Sequence, residues 1–139
     1  MLDLKRSELR EELFKIIFYL EIKKDNIENL IGTFIEEKEP FEDEISYVRG
    51  VSADLLAKMD EIDESIKGYL RDWSFDRLSK VSIAILRLAF YEIQCRDEIP
   101  VKVSINEAIE LAKKYDDQKN ESFINGVLAE FVKKNKREE

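Results

Sequence analysis

Apolar residues recur every three or four positions along most of the chain, the spacing that places them on one face of an α-helix. From Ser7 such a stripe predicts a first helix that ends near Lys24, and a second stripe predicts another helix over residues 27–35. Asp25 followed by Glu28 matches a capping box, which predicts the start of the second helix. The two helices should pair as a hairpin.

The same pattern predicts further helices toward the centre of the chain. Residues 36–44 are strongly acidic and contain Pro40, which disfavours helical geometry in the preceding residue, so we predict a loop there. A long third helix should follow, and a short fourth helix should restart at Asp63. Residues 78–93 are apolar on nearly every side, as is typical of a helix that others surround. We expect five of its side chains to be buried: Val81, Ile85, Leu86, Leu88 and Ala89.

Two more helices are predicted after Pro100. Ser104 with Glu107 matches a second capping box and predicts a helix over residues 105–115. A last helix should run from about Asn120 through Phe131. With 4 glycines and 2 prolines in 139 residues, the chain is poor in the turns of an all-β protein. We therefore predict an all-α fold in one domain, residues 1–139.

Composition indicates a cytoplasmic protein. No apolar run approaches the roughly 20 residues that span a bilayer, and the charged N-terminal residues do not match a signal peptide. The single cysteine, Cys95, lies within an apolar helix pattern, which favours a buried structural thiol in a reducing compartment. We expect no contact with a membrane.

The residues needed for most catalytic sites are missing from the sequence. It contains no histidine, the commonest acid–base catalyst at neutral pH and the commonest metal ligand. Its glycines are isolated, so they form neither a phosphate-binding loop nor a dinucleotide-binding turn. We expect a protein that binds partners, with no enzymatic activity, no metal and no cofactor.

The net charge of -8 argues against a protein that coats nucleic acid non-specifically, because such binding depends on lysine and arginine. Any RNA-binding role must use a local basic patch. The candidates are KRSELR near the start and KKNKR near the end of the chain. From charge alone, solvated helix ends are the simpler interpretation of both.

Three segments resemble the NusB family of bacterial transcription antitermination factors in residue identity, order and spacing. They are DRLSKVSIAILRLAFYEI at 76–93, IPVKVSINEAIELAKKY at 99–115 and SFINGVL at 122–128. RSELRE at 6–11 agrees more loosely, and the resemblance covers almost the whole chain. It implies about seven helices in two small bundles. It also implies a protein that binds the boxA segment of nascent ribosomal RNA with the ribosomal protein NusE, within a complex that prevents RNA polymerase from terminating.

The resemblance places RNA contacts on the basic N-terminal stretch, here Lys5, Arg6 and Arg10. Their spacing puts Arg6 and Arg10 roughly on one helix face, where both could hold phosphates. The alternative is an exposed helix start whose arginines pair with Glu11 or Glu12. Serine and glutamate dilute the charge relative to many family members, so we expect weak RNA binding without a partner.

Further candidates lie near the end of the chain and on the predicted partner surface. Lys113 and Lys119 could extend the basic patch, with Lys114 beside them. Phe123 could stack on an unpaired base, pack in the core, or lie at a rim and do both. It is also a candidate for partner contact. By resemblance, NusE should contact Phe18 and the position of Ser82, where many relatives carry an acidic residue. For Arg87, between two apolar residues, we predict a structural salt bridge with Glu92 or Glu107.

Two rival interpretations remain at this point. The RNA-binding domain of a ribosomal RNA methyltransferase has a similar helical fold, but we expect no catalytic domain because the chain stops shortly after the last helix. A diverged helical adaptor that has lost RNA binding is the second rival. Some relatives self-associate, so the sequence leaves both a monomer and a homodimer open.

Overall fold

The computed structural model describes residues 5–71 and 74–135. Within those ranges it contains α-helices and one short 3-10 helix, Phe75–Arg77, and no β-strand, which confirms the all-α prediction. The α-helices within those ranges are α1 (Arg6–Lys23), α2 (Ile27–Lys38), α3 (Glu42–Ala57), α4 (Met59–Lys67), α5 (Lys80–Cys95), α6 (Val101–Tyr115) and α7 (Gln118–Asn135). In this described part of the chain, no helix is long and apolar enough to cross a membrane.

The helices form two compact units that divide between Lys58 and Met59. In the first unit, α1, α2 and α3 contact one another, so the predicted pairing of α1 with α2 is confirmed. Each helix contributes apolar side chains at helical spacing to the core of this unit. The buried apolar residues are Leu9, Leu13, Phe14, Ile16, Ile17, Ile31, Phe34, Val48, Val51 and Leu55.

In the second unit, α5 packs against α4, α6 and α7. Every residue from Ser82 to Ile93 is buried, which confirms that this helix is the one that others surround. Four of the five predicted core residues are buried, whereas Val81, in the first turn, is only half-buried. The apolar run therefore extends around the whole circumference of α5 from its second turn onward.

Aromatic rings join α5 to the second half of α7. The rings of Phe90 and Phe131 stack with centroids 4.1 Å apart, and Tyr69 packs edge-on against Phe131 at 5.5 Å. Asn135, the last residue of α7, donates a side-chain hydrogen bond to the Tyr69 hydroxyl. These contacts hold the turn after α4 against the end of α7.

Arg87 forms the structural salt bridge that the sequence predicts, and the partner in the structure is Asp63 on α4. Two guanidinium nitrogens each lie 2.8 Å from a carboxylate oxygen of Asp63. The side chains are 8% and 17% exposed, so the pair is largely removed from water. The predicted partners Glu92 and Glu107 are wrong for this bidentate pair, because Asp63 lies 24 residues before Arg87 on another helix.

Three predicted boundaries in the first half of the chain are wrong by a few residues. The capping residue of α2 is Asn26, whose side chain accepts from the Asn29 amide at 2.9 Å, so Asp25 does not cap the helix. The acidic stretch is mostly helical, because α2 continues through Lys38 and α3 already begins at Glu42. The break between α3 and α4 lies at Lys58, and Asp63 lies inside α4.

The predicted start of α6 at residue 105 is also wrong. The helix begins at Val101, directly after Pro100, which is its N-cap residue. Ser104 therefore lies within the helix. Its hydroxyl donates to a Glu92 carboxylate oxygen at 2.8 Å in the interior of the second unit. Ser104 therefore forms a buried tertiary hydrogen bond and does not cap the helix.

Candidate RNA and partner interface

The first turn of α1 exposes two of the three predicted RNA-binding cations. Lys5 and Arg6 are both exposed, and the Lys5 amide donates to a Glu8 carboxylate oxygen at 2.8 Å, which supports the start of the helix. The Arg6 guanidinium lies over the ring of Tyr47 on α3, 4.1 Å from its centroid. Stacking restrains the guanidinium without occupying the edge nitrogens that would bond a phosphate.

Arg10 is placed differently from what the spacing predicts. It is only 4% exposed, and its side chain is engaged within the protein. Our expectation that Arg6 and Arg10 form one exposed pair is therefore wrong. Arg6 is exposed, whereas Arg10, one helical turn later, is buried. Lys5 and Arg6 remain as the exposed cations of this stretch.

Phe18 is a half-buried aromatic residue near the end of α1. Its ring stacks on that of Phe14, with centroids 6.0 Å apart and planes inclined by 18°. On its other side the ring of Tyr19 packs edge-on at 5.3 Å. The buried Phe14 anchors Phe18, so a partner would meet a ring whose position is already fixed.

Ser82 is not a surface residue, so its side chain cannot contact a partner directly. It is 1% exposed, and its hydroxyl donates to the Asp116 carboxylate at 2.5 Å. Asp116 follows α6 and also accepts from the Asn120 side chain at 2.9 Å. The Asp116 carboxylate thus lies beside Ser82, although it comes from another part of the chain.

The lysines around the connection from α6 to α7 are exposed. Lys113 lies 3.5 Å from Glu110 one turn earlier, an exposed pair of small energetic value. The Lys114 ammonium lies 5.5 Å from the centre of the Tyr115 ring. Lys119 lies in the first turn of α7, four residues before Phe123, so the two side chains share one side of the helix.

Phe123 lies at the rim of a cavity of about 380 Å³ in the second unit. The core of α7 is made by Ile124, Val127, Leu128 and Phe131, which are buried, while Phe123 is half-buried. The Phe123 ring is therefore outside the fully buried core of α7. The cavity is lined by Tyr69, Arg71, Ser122, Phe123, Gly126, Val127 and Glu130.

Charged residues border the same cavity. The Arg71 guanidinium donates to the Glu130 carboxylate and lowers the pKa of that carboxyl, with smaller contributions from Lys134 and Lys133. The Lys134 ammonium lies 3.9 Å from Glu130. Arg71 and Lys134 therefore both pair with one carboxylate at this end of α7.

The predicted site residues are divided between the two units. Lys5, Arg6, Arg10 and Phe18 belong to the first unit, and Ser82, Lys113, Lys119 and Phe123 belong to the second. Sequence reasoning missed Asp116 and the pair of Arg71 with Glu130. No local pattern reveals them, because their contacts span 34 and 59 residues of the chain.

The fold defines a class of protein, the small all-α modules built from two helical units. A family model described as "NusB family" matches residues 7–133. The transcription antitermination protein NusB of Clostridium botulinum (strain Alaska E43) is 43% identical over 90% of this chain and 96% of its own length. The chain belongs to the NusB family.

Solved structures agree with the family assignment. T. maritima NusB superposes with a TM-score of 0.89 at 30% identity, covering 98% of this chain and 96% of that one. One chain of a crystal structure of antitermination factors NusB and NusE in complex with dsRNA superposes with a TM-score of 0.83 at 28% identity, covering 93% of this chain and 96% of that one. The two-bundle arrangement implied by the resemblance is thereby confirmed.

Proposed function

We propose that this protein is a transcription antitermination factor that binds boxA-type single-stranded RNA together with NusE and joins the antitermination complex of RNA polymerase. The observation that carries the proposal is the family match over residues 7–133, at 43% identity to a transcription antitermination protein NusB. The superposition on a chain from a complex of NusB and NusE with dsRNA supports NusE and RNA as partners. Such a role is non-enzymatic and belongs in the cytoplasm, where nascent RNA is made.

The RNA-binding part of the proposal uses exposed cations and one aromatic ring. Lys5 and Arg6 at the start of α1 would neutralise phosphates, as would Lys119 and, more weakly, the paired Lys113. Phe123, half-buried at a cavity rim, would stack on an unpaired base, the usual way in which single-stranded RNA is held. The overall charge of -8 opposes RNA binding, so these groups need the help of a partner.

The protein-binding part uses Phe18 and the carboxylate of Asp116. Phe18 offers a fixed aromatic surface, and Asp116 offers negative charge beside Ser82 to a basic partner. We assign Asp116, rather than the buried Ser82 hydroxyl, as the group that complements the partner's charge. Asp116→Asn should therefore weaken NusE binding, and mainly by slowing association.

We expect the complex with NusE to bind boxA RNA more tightly than either protein by itself, because the partner offsets the unfavourable net charge. Fluorescence anisotropy with a labelled single-stranded boxA oligonucleotide measures each affinity. Phe18→Ala, if its circular dichroism spectrum is unchanged, should reduce NusE binding and with it the gain in RNA affinity. Equal RNA affinity with and without NusE would favour the diverged adaptor instead.

Charge removal at the start of α1 tests the phosphate contacts. If Lys5 and Arg6 each neutralise one phosphate, replacing both with Gln should reduce the salt-dependence slope by roughly 1.4 in magnitude, at about 0.7 per contact. Binding to different RNA sequences should weaken alike, since phosphate contacts carry no sequence information. Lys23 and Lys24 at the other end of α1 provide the matched control, whose double replacement should leave the slope unchanged. If the Lys5 and Arg6 variant kept the wild-type salt-dependence slope, these two residues would not contact phosphates and would be only a solvated helix end.

A further inference from the structure

We propose that a groove between α1 and α2 receives an arginine side chain of a protein partner, and that the guanidinium pairs with the Glu12 carboxylate. This arginine pocket has a volume of about 310 Å³ and lies within the first unit. None of its lining residues is among the RNA or NusE contacts proposed above. The pocket therefore does not depend on the proposed function.

Glu12 is a buried carboxylate whose charge is poorly balanced. Its side chain is 7% exposed, and within the described part of the chain its one ion pair is with Lys15, at 3.4 Å. That distance is long, because a charge-assisted hydrogen bond usually measures about 2.7–2.9 Å. Acidic side chains are rarely buried unless they are paired, so the Glu12 carboxylate, which lines the groove, is suited to accept a closer cation from a ligand.

A second carboxylate lies at the same end of the groove. Residues 24–26 alone connect α1 to α2, so the two helices form an antiparallel hairpin, in which positions equally far from the connection lie opposite each other. Glu12 near the start of α1 is therefore level with the end of α2, where the exposed Glu37 also lines the groove. A guanidinium has enough N–H donors to bond both carboxylates.

An apolar trough leads from these carboxylates along the groove. Its floor is formed by the buried Ile16 and Phe34, and its sides are formed by the half-buried Tyr19 and Leu30. The methylene groups of an arginine pack on such a surface while its charged end reaches the carboxylates. The volume is at the lower limit of the roughly 300–1,000 Å³ that small-molecule sites enclose, which suits a single side chain. Arginine is favoured over lysine because its guanidinium is more weakly hydrated and bonds two acceptors at once.

The rim of the groove favours a peptide over a free polyamine. The Lys23 ammonium lies 4.6 Å from the centre of the Tyr19 ring, and Lys15 lies beside Glu12. These two cations would repel a small polycation, whereas they can donate hydrogen bonds to the backbone carbonyl oxygens that flank an arginine in a peptide. An apolar centre with a polar rim is also the usual anatomy of a protein–protein contact, in which arginine is enriched.

Binding of a short peptide is the direct test. The acetylated and amidated tripeptide Ala-Arg-Ala should shift the NMR methyl signals of Ile16 and Leu30 in the full-length protein. The same peptide with citrulline, in which a neutral urea group replaces the guanidinium, should bind at least about tenfold more weakly, the smaller loss expected for a hydrogen bond to a charged group. No saturable shift with the arginine peptide, or equal affinity for the two peptides, would overturn the pocket.

Variants of the charged residues give a second test with opposite signs. Glu12→Gln should weaken binding of the arginine peptide at least about tenfold, and Glu37→Gln by less than about fivefold, because an exposed pair contributes little. Lys15→Gln should strengthen binding, since it removes the ammonium that competes for Glu12. Glu36→Gln is the matched control, an exposed carboxylate on α2 outside the groove, and it should leave the affinity unchanged. If the pair of Glu12 with Lys15 were only structural, Glu12→Gln and Lys15→Gln would both lower the melting temperature and leave the peptide affinity as it was.

The remaining outcomes separate the pocket from other ligands and from the proposed function. Spermidine or butylguanidinium that bound as tightly as the arginine peptide would indicate a site for a free small cation and would overturn the protein partner. A wild-type protein that bound neither RNA nor NusE, but bound the arginine peptide through Glu12, would overturn the proposed function and support the pocket. Normal RNA and NusE binding, with a peptide affinity that Glu12→Gln does not change, would do the reverse.

Discussion

Replacing Asp63 with alanine is expected to lower the free energy of unfolding by about 3–5 kcal/mol, the usual cost of removing one partner of a buried ion pair. The Arg87 side chain is 8% exposed and bonds the Asp63 carboxylate through two nitrogens at 2.8 Å. Without the carboxylate a largely buried guanidinium loses its bidentate acceptor. Urea unfolding followed by circular dichroism measures the difference.

A neighbouring carboxylate controls for the change in net charge. Glu64 pairs with Lys67 at 3.2 Å, but the two side chains are 73% and 48% exposed. Such surface pairs contribute about 0–1 kcal/mol, so Glu64→Ala should have little effect. Replacing Asp63 and Arg87 together with apolar residues should recover much of the loss, because no unpaired charge remains. Equal effects of Asp63→Ala and Glu64→Ala would mean that the Arg87 pair is not effectively buried.

Leu88→Ala should cost about 2–5 kcal/mol, because it removes a buried side chain and leaves a cavity that close-packed neighbours fill only in part. Leu88 is 2% exposed at the centre of α5. Leu56→Ala makes the same chemical change where the side chain is 46% exposed, and it should cost well under 1 kcal/mol. A loss below about 1 kcal/mol for Leu88→Ala would contradict the central role of α5.

Helical periodicity located the helices well but placed several of their boundaries wrongly. Apolar spacing continues from Leu55 through Met59 to Ile62, so nothing in the pattern marks the break at Lys58. At Ser104 the local pattern was misleading, because the hydroxyl bonds Glu92 and does not cap a helix. Boundaries of this kind depend on tertiary contacts, which a local pattern does not contain.

The exposure of a candidate site residue could be predicted where it depends on local position. The exposed Lys5 and Arg6 follow from their position at the start of a helix, and the resemblance singled out Phe123. Burial of Arg10 depends on what packs over that turn, and the contact of Ser82 with Asp116 depends on how α5 meets the end of α6. The cavity is formed by a turn and a helix that are far apart in sequence, so only the folded structure reveals it.

Burial of α5 from Ser82 to Ile93 has a consequence for how the second unit opens. An isolated helix of 16 residues is marginally stable in water, and this one has no polar face to present there. Its amide hydrogens should therefore exchange with solvent only when α4, α6 and α7 separate from it together, at a free energy close to that of global unfolding. The proposed binding residues of the second unit, such as Lys119 and Phe123, can then rearrange while α5 stays closed.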